Sequence, residues 1–170
     1  MSTKHEAPGA LVQQWWRRLS ALPGGKRLFS IIIGQTAPYT GSIGARAEEL
    51  RPGYARWTLR ERRGVRNHLS SIHAVALVNL AEVTSGTAML MSLPAGTRGI
   101  VVSLSMTFVK KARGTVTSEC TCNLPPVSAD TRLDVHAEIR DAAGDTVATA
   151  TVTWLLSPVS KVEERQQVSR

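Results

Sequence analysis

Between Ala74 and Val83 the only polar side chains are Asn79 and Glu82. A helix that is apolar on every side is normally wrapped by other structure rather than laid on a surface. This run, read as a helix over residues 72–86 or slightly beyond, therefore belongs at the centre of a fold that encloses it, and Glu82 goes inside with it. An ionised carboxylate in an apolar interior is costly unless the fold supplies hydrogen bonds, raises its pKa or uses it for chemistry. A bond to Asn79 or to a backbone amide is the purely structural alternative. His73 stands just before the helix, where Ser70 or Ser71 offers an N-cap. The first-turn N–H groups, those of Ala74 and Val75 among them, form a partial positive charge able to hold a developing oxyanion.

The remaining patterns supply the wrapping. Residues 10–22 place Leu11, Trp15, Leu19 and Leu22 at helical spacing until Pro23-Gly24-Gly25 stops the run, and a second helical stretch follows over residues 26–35. These helices are expected to cover an edge or opening of the main fold, with a first strand near residues 43–50. After the turn at Pro52-Gly53, Ala55, Trp57 and Leu59 alternate with Arg56, Thr58 and Arg60. Beyond the central helix, Ile100, Val102, Leu104, Met106 and Phe108 alternate with Val101, Ser103, Ser105 and Thr107 in a long strand. Residues 113–123 and 133–140 repeat the pattern, and residues 141–145 make a hairpin into a last strand over residues 146–156. One apolar helix with late strands on short connections implies an α+β fold, an antiparallel sheet curled around that helix. The expected division is a helical extension over residues 1–42, the main domain over 43–156 and a polar, frayed tail over 157–170.

Charge narrows the partners. The net +8 lies wholly in residues 1–66, which hold twelve Lys or Arg against four acids; residues 67–156 hold six against seven. Such an excess points to an anionic partner, but neither a helix-turn-helix signature nor an aromatic RNA-binding strand is present, which argues against nucleic acid. Most of the arginines, Arg17, Arg18, Arg56, Arg60, Arg62 and Arg63 among them, read as solvated surface. The longest apolar run, residues 28–34, is far below the roughly 20 residues of a membrane span, and residues 1–12 lack a secretory pattern. A cytoplasmic protein is expected. Cys120 and Cys122 lie on one face of a strand, which disfavours a mutual disulfide. Two sulfurs without a His-rich motif give no metal site.

Asn67, His73 six residues later and Glu82 nine beyond that, on a chain organised this way, resemble the hotdog-fold acyl-CoA thioesterases, particularly the phenylacetate-pathway type, over residues 43–156. The chain also looks like an uncharacterised hotdog branch with an N-terminal helical extension, through residues 37–41, Asn67-His68, Ile72-His73-Ala74 and residues 108–113. The resemblance implies hydrolysis of an acyl-CoA thioester without a serine or cysteine nucleophile and without a cofactor, coenzyme A entering only as part of the substrate. It implies that Glu82 acts as base or nucleophile, that the Ala74 N–H polarises the carbonyl, and that Asn67 and His73 orient substrate, water or loop. It further implies a homodimer, possibly a homotetramer, in which Glu82 of one subunit faces Asn67 and Ala74 of the other. The chain departs from many relatives in having Ala74-Val75 where they carry Gly-Gly, and Gly86 where some carry a hydroxyl.

Coenzyme A brings three phosphates, for which Lys110, Lys111 and Arg113 at the end of the long strand are the candidate partners, with Arg98 behind them. Lysines at a strand end also serve simply to guard an edge. Two other functions share this pattern: a non-catalytic acyl-CoA-binding or dimeric scaffold domain, and a hotdog dehydratase or hydratase, whose His and carboxylate are spaced differently.

Overall fold

A computed structural model describes residues 8–159. Two helices open it, α1 (Pro8–Leu19) and α2 (Gly25–Thr36), followed by a short α3 (Pro38–Ser42). Strands β1 (Arg46–Arg51) and β2 (Tyr54–Arg60) precede the central helix α4 (Ala74–Leu90). Strands β3 (Thr97–Phe108), β4 (Thr115–Thr121), β5 (Thr131–Arg140) and β6 (Thr146–Pro158) complete the chain. The six strands form one sheet in the order β1-β2-β4-β5-β6-β3, every pair antiparallel. The sheet curls around α4, which is the hotdog arrangement.

The reason is visible in α4 itself. Leu77, Leu80, Ala81, Val83, Ala88 and Met89 are all buried, each large side chain contributing about 1.5–3 kcal/mol on leaving water. Its buried hydroxyls are satisfied locally: Thr84 Oγ1 donates to the Leu80 carbonyl at 2.6 Å, and Thr87 Oγ1 to that of Val83 at 2.7 Å. Trp57 Nε1 on β2 then donates to Thr87 Oγ1 at 2.9 Å, locking sheet to helix. The helix runs one turn past the expected residue 86, because the apolar sequence continues through Met89.

Four sequence expectations change. The first strand starts at Arg46 rather than Ile43, since Pro38 at the first helical position starts α3 instead. The helix is capped by neither Ser70 nor Ser71 but by His73, whose Nδ1 accepts the Val75 N–H at 3.1 Å. In β3 a bulge between Val101 and Ser103 resets the alternation. Val101 therefore shares the inner face with Leu104 and Met106, while Ile100 and Val102 turn outward and are 63% and 41% exposed. The last strand reaches Pro158, past the expected residue 156. The tail expected over residues 157–170 falls mostly outside the described residues.

The N-terminal helices are bolted to this core. Gln13 Nε2 donates to the Leu90 and Met91 carbonyls, both at 3.2 Å, so α1 caps the end of α4. Lys26 Nζ donates to the Glu48 carbonyl at 2.6 Å and Ser30 Oγ accepts the Ala47 N–H at 2.9 Å, fixing α2 to β1. Trp16 meets the fully buried Phe29 edge-on, ring centroids 5.1 Å apart. Between α2 and α3 the backbones touch at Gly34 and Gly41, where a Cβ on Gly41 would lie 2.6 Å from the Gly34 carbonyl oxygen. No helix among the described residues is long and apolar enough to cross a membrane.

Candidate active site

Glu82 projects from the middle of α4 toward the N-terminal helices and is only partly buried. It lines a cavity of about 390 Å³ between α1, α2, α3, α4 and β6, whose wall includes Trp15, Ile32, Ile33, Leu90 and Trp154. Among the described residues, Glu82 is the only ionisable side chain in that wall. Burial alone pushes its carboxyl above the usual carboxylate range, because no cation among the described residues pairs with it. The structural alternative raised from sequence, a bond from Glu82 to Asn79, is not formed. Asn79 instead donates through Nδ2 to the Tyr39 carbonyl at 3.0 Å, tying α3 to α4 and leaving its own buried Oδ1 without a partner among the described residues.

One helical turn after Glu82, Gly86 lies flat against the indole of Trp154: a Cβ there would stand 3.1 Å from Cη2 and 3.2 Å from Cζ2. The missing hydroxyl noted from sequence thus has a packing cause. The Trp154 ring occupies that space as part of the cavity wall.

The start of α4 is a separate place. Asn67 Oδ1 accepts from the Leu69 N–H at 2.9 Å and from the N–H and Oγ of Ser71, both at 3.2 Å. Its carbonyl therefore shapes the loop, while its Nδ2 makes no hydrogen bond among the described residues. Ser70 in that loop has φ 54°, the one positive φ outside glycine among the described residues, a conformation uncommon for a side-chain-bearing residue. The loop is held from the other side: the Ile72 N–H donates to the Ala112 carbonyl, and the His73 N–H to that of Val65, each at 2.8 Å. With His73 taking the Val75 amide, the Ala74 N–H has no acceptor among the described residues, and Ala74 itself is exposed. Eight residues separate Ala74 from Glu82, about 12 Å along the axis, so a single chain does not bring these two groups onto one reacting atom.

The basic candidates part company. Lys110 Nζ lies 2.7 Å from Asp141 Oδ2 and 2.6 Å from Asp145 Oδ2, and hydrogen bonds to these two carboxylates raise its pKa. Its charge is already matched. Arg113 reaches the Ser70 carbonyl at 3.4 Å, and Lys111 makes no ion pair among the described residues. Arg98 is not behind them: it sits at the opposite end of β3, a strand of twelve residues, roughly 40 Å long at 3.3 Å per residue. The structure adds Arg63, which lies with Arg66 on the segment that Glu61 clamps to the Gly114 amide at 2.6 Å, next to Lys111 and Arg113. Sequence spacing could not reveal this, because about fifty residues intervene.

Cys120 and Cys122 are buried and free, and desolvation with the neighbouring Cys122 pushes the Cys120 thiol up to about 12. His136 is exposed and contacts Thr151 Oγ1 at 3.1 Å. Neither belongs to the Glu82 site.

Residues 25–156 match the family described as a domain of unknown function (DUF4442), and the chain belongs to that family. The match begins with α2 and so takes in a wall of the Glu82 cavity. No curated protein matches the sequence. Among solved structures, a structural-genomics protein is 34% identical with a TM-score of 0.76, over 90% of this chain and all of its own. A Pseudomonas aeruginosa protein of unknown function, described as a probable thioesterase, is 21% identical with a TM-score of 0.69, over 91% of this chain and 99% of its own. A Haemophilus influenzae thioesterase is 15% identical with a TM-score of 0.66, over 76% and 90%. At these identities the last two establish the shared hotdog fold.

Proposed function

We propose that the protein hydrolyses an acyl-CoA thioester to the free acid and coenzyme A, as a homodimer, with Glu82 as general base. The observation that carries this reading is the lone carboxylate in the wall of an apolar cavity, its proton affinity raised by burial alone. A carboxyl moved toward neutral pH is better matched to take a proton from water. That the Pseudomonas and Haemophilus proteins of this fold are described as thioesterases supports the same class.

In the proposed reaction Glu82 accepts a proton as the water oxygen attacks the thioester carbonyl carbon. The Ala74 N–H of the partner subunit, at a helix N-terminus with positive dipole, holds the oxyanion, and the free Nδ2 of Asn67 donates to the same group. The intermediate collapses with cleavage of the C–S bond, and the proton on Glu82 passes to the departing sulfur. The two-subunit arrangement answers the separation of about 12 Å between Ala74 and Glu82 within one chain. Antiparallel pairing of β3 with its copy across a two-fold axis would also set Arg98 of one protomer beside the Lys111 and Arg113 end of its partner. Those residues, with Arg63, then receive the coenzyme A phosphates, and Lys110 positions the 141–145 turn.

The test is release of free thiol from a panel of acyl-CoAs. Glu82→Gln is expected to lower kcat about 10²–10⁴-fold while acyl-CoA still binds. Wild-type activity should rise with pH through a midpoint above the ordinary carboxylate range. The stability sign is opposite: a carboxyl whose folded pKa is raised costs stability as pH rises from its unfolded value through its folded one. Glu82→Gln should thus melt higher than wild type at neutral pH and equally at acid pH. Equal, slow thiol release by wild type and Glu82→Ala, with binding intact, would instead establish the non-catalytic scaffold.

A further inference from the structure

We infer that the cavity against Glu82 seats the acyl chain of an uncharged, medium-length thioester, so that α1 and α2 of the same chain set the acyl preference. This rests on the proposed thioesterase reading and says what that site takes. Three observations carry it. The wall is apolar apart from Glu82 and three threonines, Thr36, Thr40 and Thr87, of which Thr87 Oγ1 already accepts from Trp57 and donates to the Val83 carbonyl, and Thr36 Oγ1 donates to the Ile33 carbonyl. A carboxylate on the acyl chain would therefore lose its water without gaining a partner, and a cationic group could only pair with Glu82 and so occupy the base. Next, about 390 Å³, at the roughly 30 Å³ a water-sized group occupies in a liquid, holds about a dozen carbon atoms. Finally, the walls are fixed rather than collapsible: Gln13 ties α1 to the end of α4, and Lys26 and Ser30 tie α2 to β1.

Position follows from the same residues. Glu82 is the one group in the wall that can act on a carbonyl, so the thioester lies there and the chain runs between α1 and α2. Leu11 and Trp15 are half-exposed at the cavity and lose water contact when an acyl chain passes them. Ile33, partly buried on α2, lines the same space, and Thr36 lines it from the exposed last turn of α2.

The experiment measures kcat/KM for acyl-CoAs from acetyl to palmitoyl in wild type, Ile33→Trp and Thr36→Trp. Binding of a non-hydrolysable decyl thioether of coenzyme A is followed in parallel by tryptophan fluorescence. Wild type is expected to peak between octanoyl and dodecanoyl. Each Trp variant should lose at least about tenfold more on decanoyl-CoA than on acetyl-CoA, in line with the discrimination a filled hydrophobic pocket supplies. Thr36 is exposed, so its variant keeps the test open if Ile33→Trp fails to fold. A profile that is flat, or that neither folded variant shifts, overturns the inference while leaving the thioesterase reading in place. If wild type hydrolyses nothing, that reading fails, and the thioether decides the cavity. Tight binding that Thr36→Trp weakens sustains the acyl seat, and no binding removes it.

Discussion

The middle of α4 and its start meet opposite surroundings. Around Glu82 the chain supplies its own enclosure: three helices and the Trp154 indole close on one carboxylate, with contributions from residues as far apart in sequence as Leu11 and Trp154. Around Ala74 there is no such enclosure: His73, Ala74 and Val75 are exposed, and the Ala74 N–H has no acceptor among the described residues. What can hold an apolar group is enclosed within the protomer, whereas the amide that can hold an oxyanion stands at an exposed helix start. The sheet shows a similar asymmetry. Edge strand β1 is short, carries Arg46, Glu48, Glu49 and Arg51 in ion pairs and lies under α2. Edge strand β3 is twice as long, has no charged residue between Gly99 and Phe108, and exposes Ile100, Val102 and Phe108. A long uncharged edge is what sheet proteins avoid unless another strand covers it. In the proposed homodimer, a second copy would complete the open helix start and cover the unguarded strand together.

The strongest way to break this contrast is to guard β3 as β1 is guarded. In the proposed pairing, Ile100→Lys/Val102→Lys sets two lysines against the Phe108 and Lys110 stretch of the second copy, where an apolar contact is lost and a like charge is met, and both destabilise strand pairing. Light scattering should show a monomer of unchanged circular dichroism, with thiol release reduced at least about 10²-fold because an oxyanion donor is lost. A dimer of undiminished activity would put the partner, and the Ala74 amide, elsewhere. Next in size is Gly86→Ser, which restores the hydroxyl carried by some relatives. Its side chain has to displace Trp154, at a cost of about 1–3 kcal/mol for overpacking, read as a lower melting temperature. A melting point equal to wild type would mean that the indole moves aside freely and that the cavity wall is softer than the close contact implies.

How much of this could be read beforehand divides along the same line. The enclosed helix was legible because ten residues with two polar side chains admit few placements, and the strands were legible from their alternation. Neither pattern depends on what lies across from it. The bulge in β3 was not legible, since an extra residue only has meaning against the register of β6. Lys110 looked available because Asp141 and Asp145 are brought to it by the β5–β6 hairpin rather than by spacing. Glu82 was singled out by its apolar neighbours, but its setting was not legible: amphipathic patterns in residues 10–35 announced two helices without saying which face of α4 they would cover. The short α3 is too brief for periodicity, and only Pro38 marked its start.

His73 supplies the smallest and most discriminating test, because it stands at the open end and has two readings there. As an N-cap it accepts the Val75 amide at 3.1 Å, a task that Asn, Asp, Ser and Thr perform better. If capping is its whole role, His73→Ala should cost about 1 kcal/mol or less at this exposed position, and His73→Asn should restore the melting temperature and thiol release together. If the imidazole also contacts the substrate, His73→Asn recovers stability but leaves kcat low, and the deficit appears in kcat/KM at every acyl length. The cavity lies about two turns away and is untouched by the change, so a chain-length-dependent deficit would contradict both readings. It would mean that the two ends of α4 are not independent, as the enclosed middle and the open start would otherwise require.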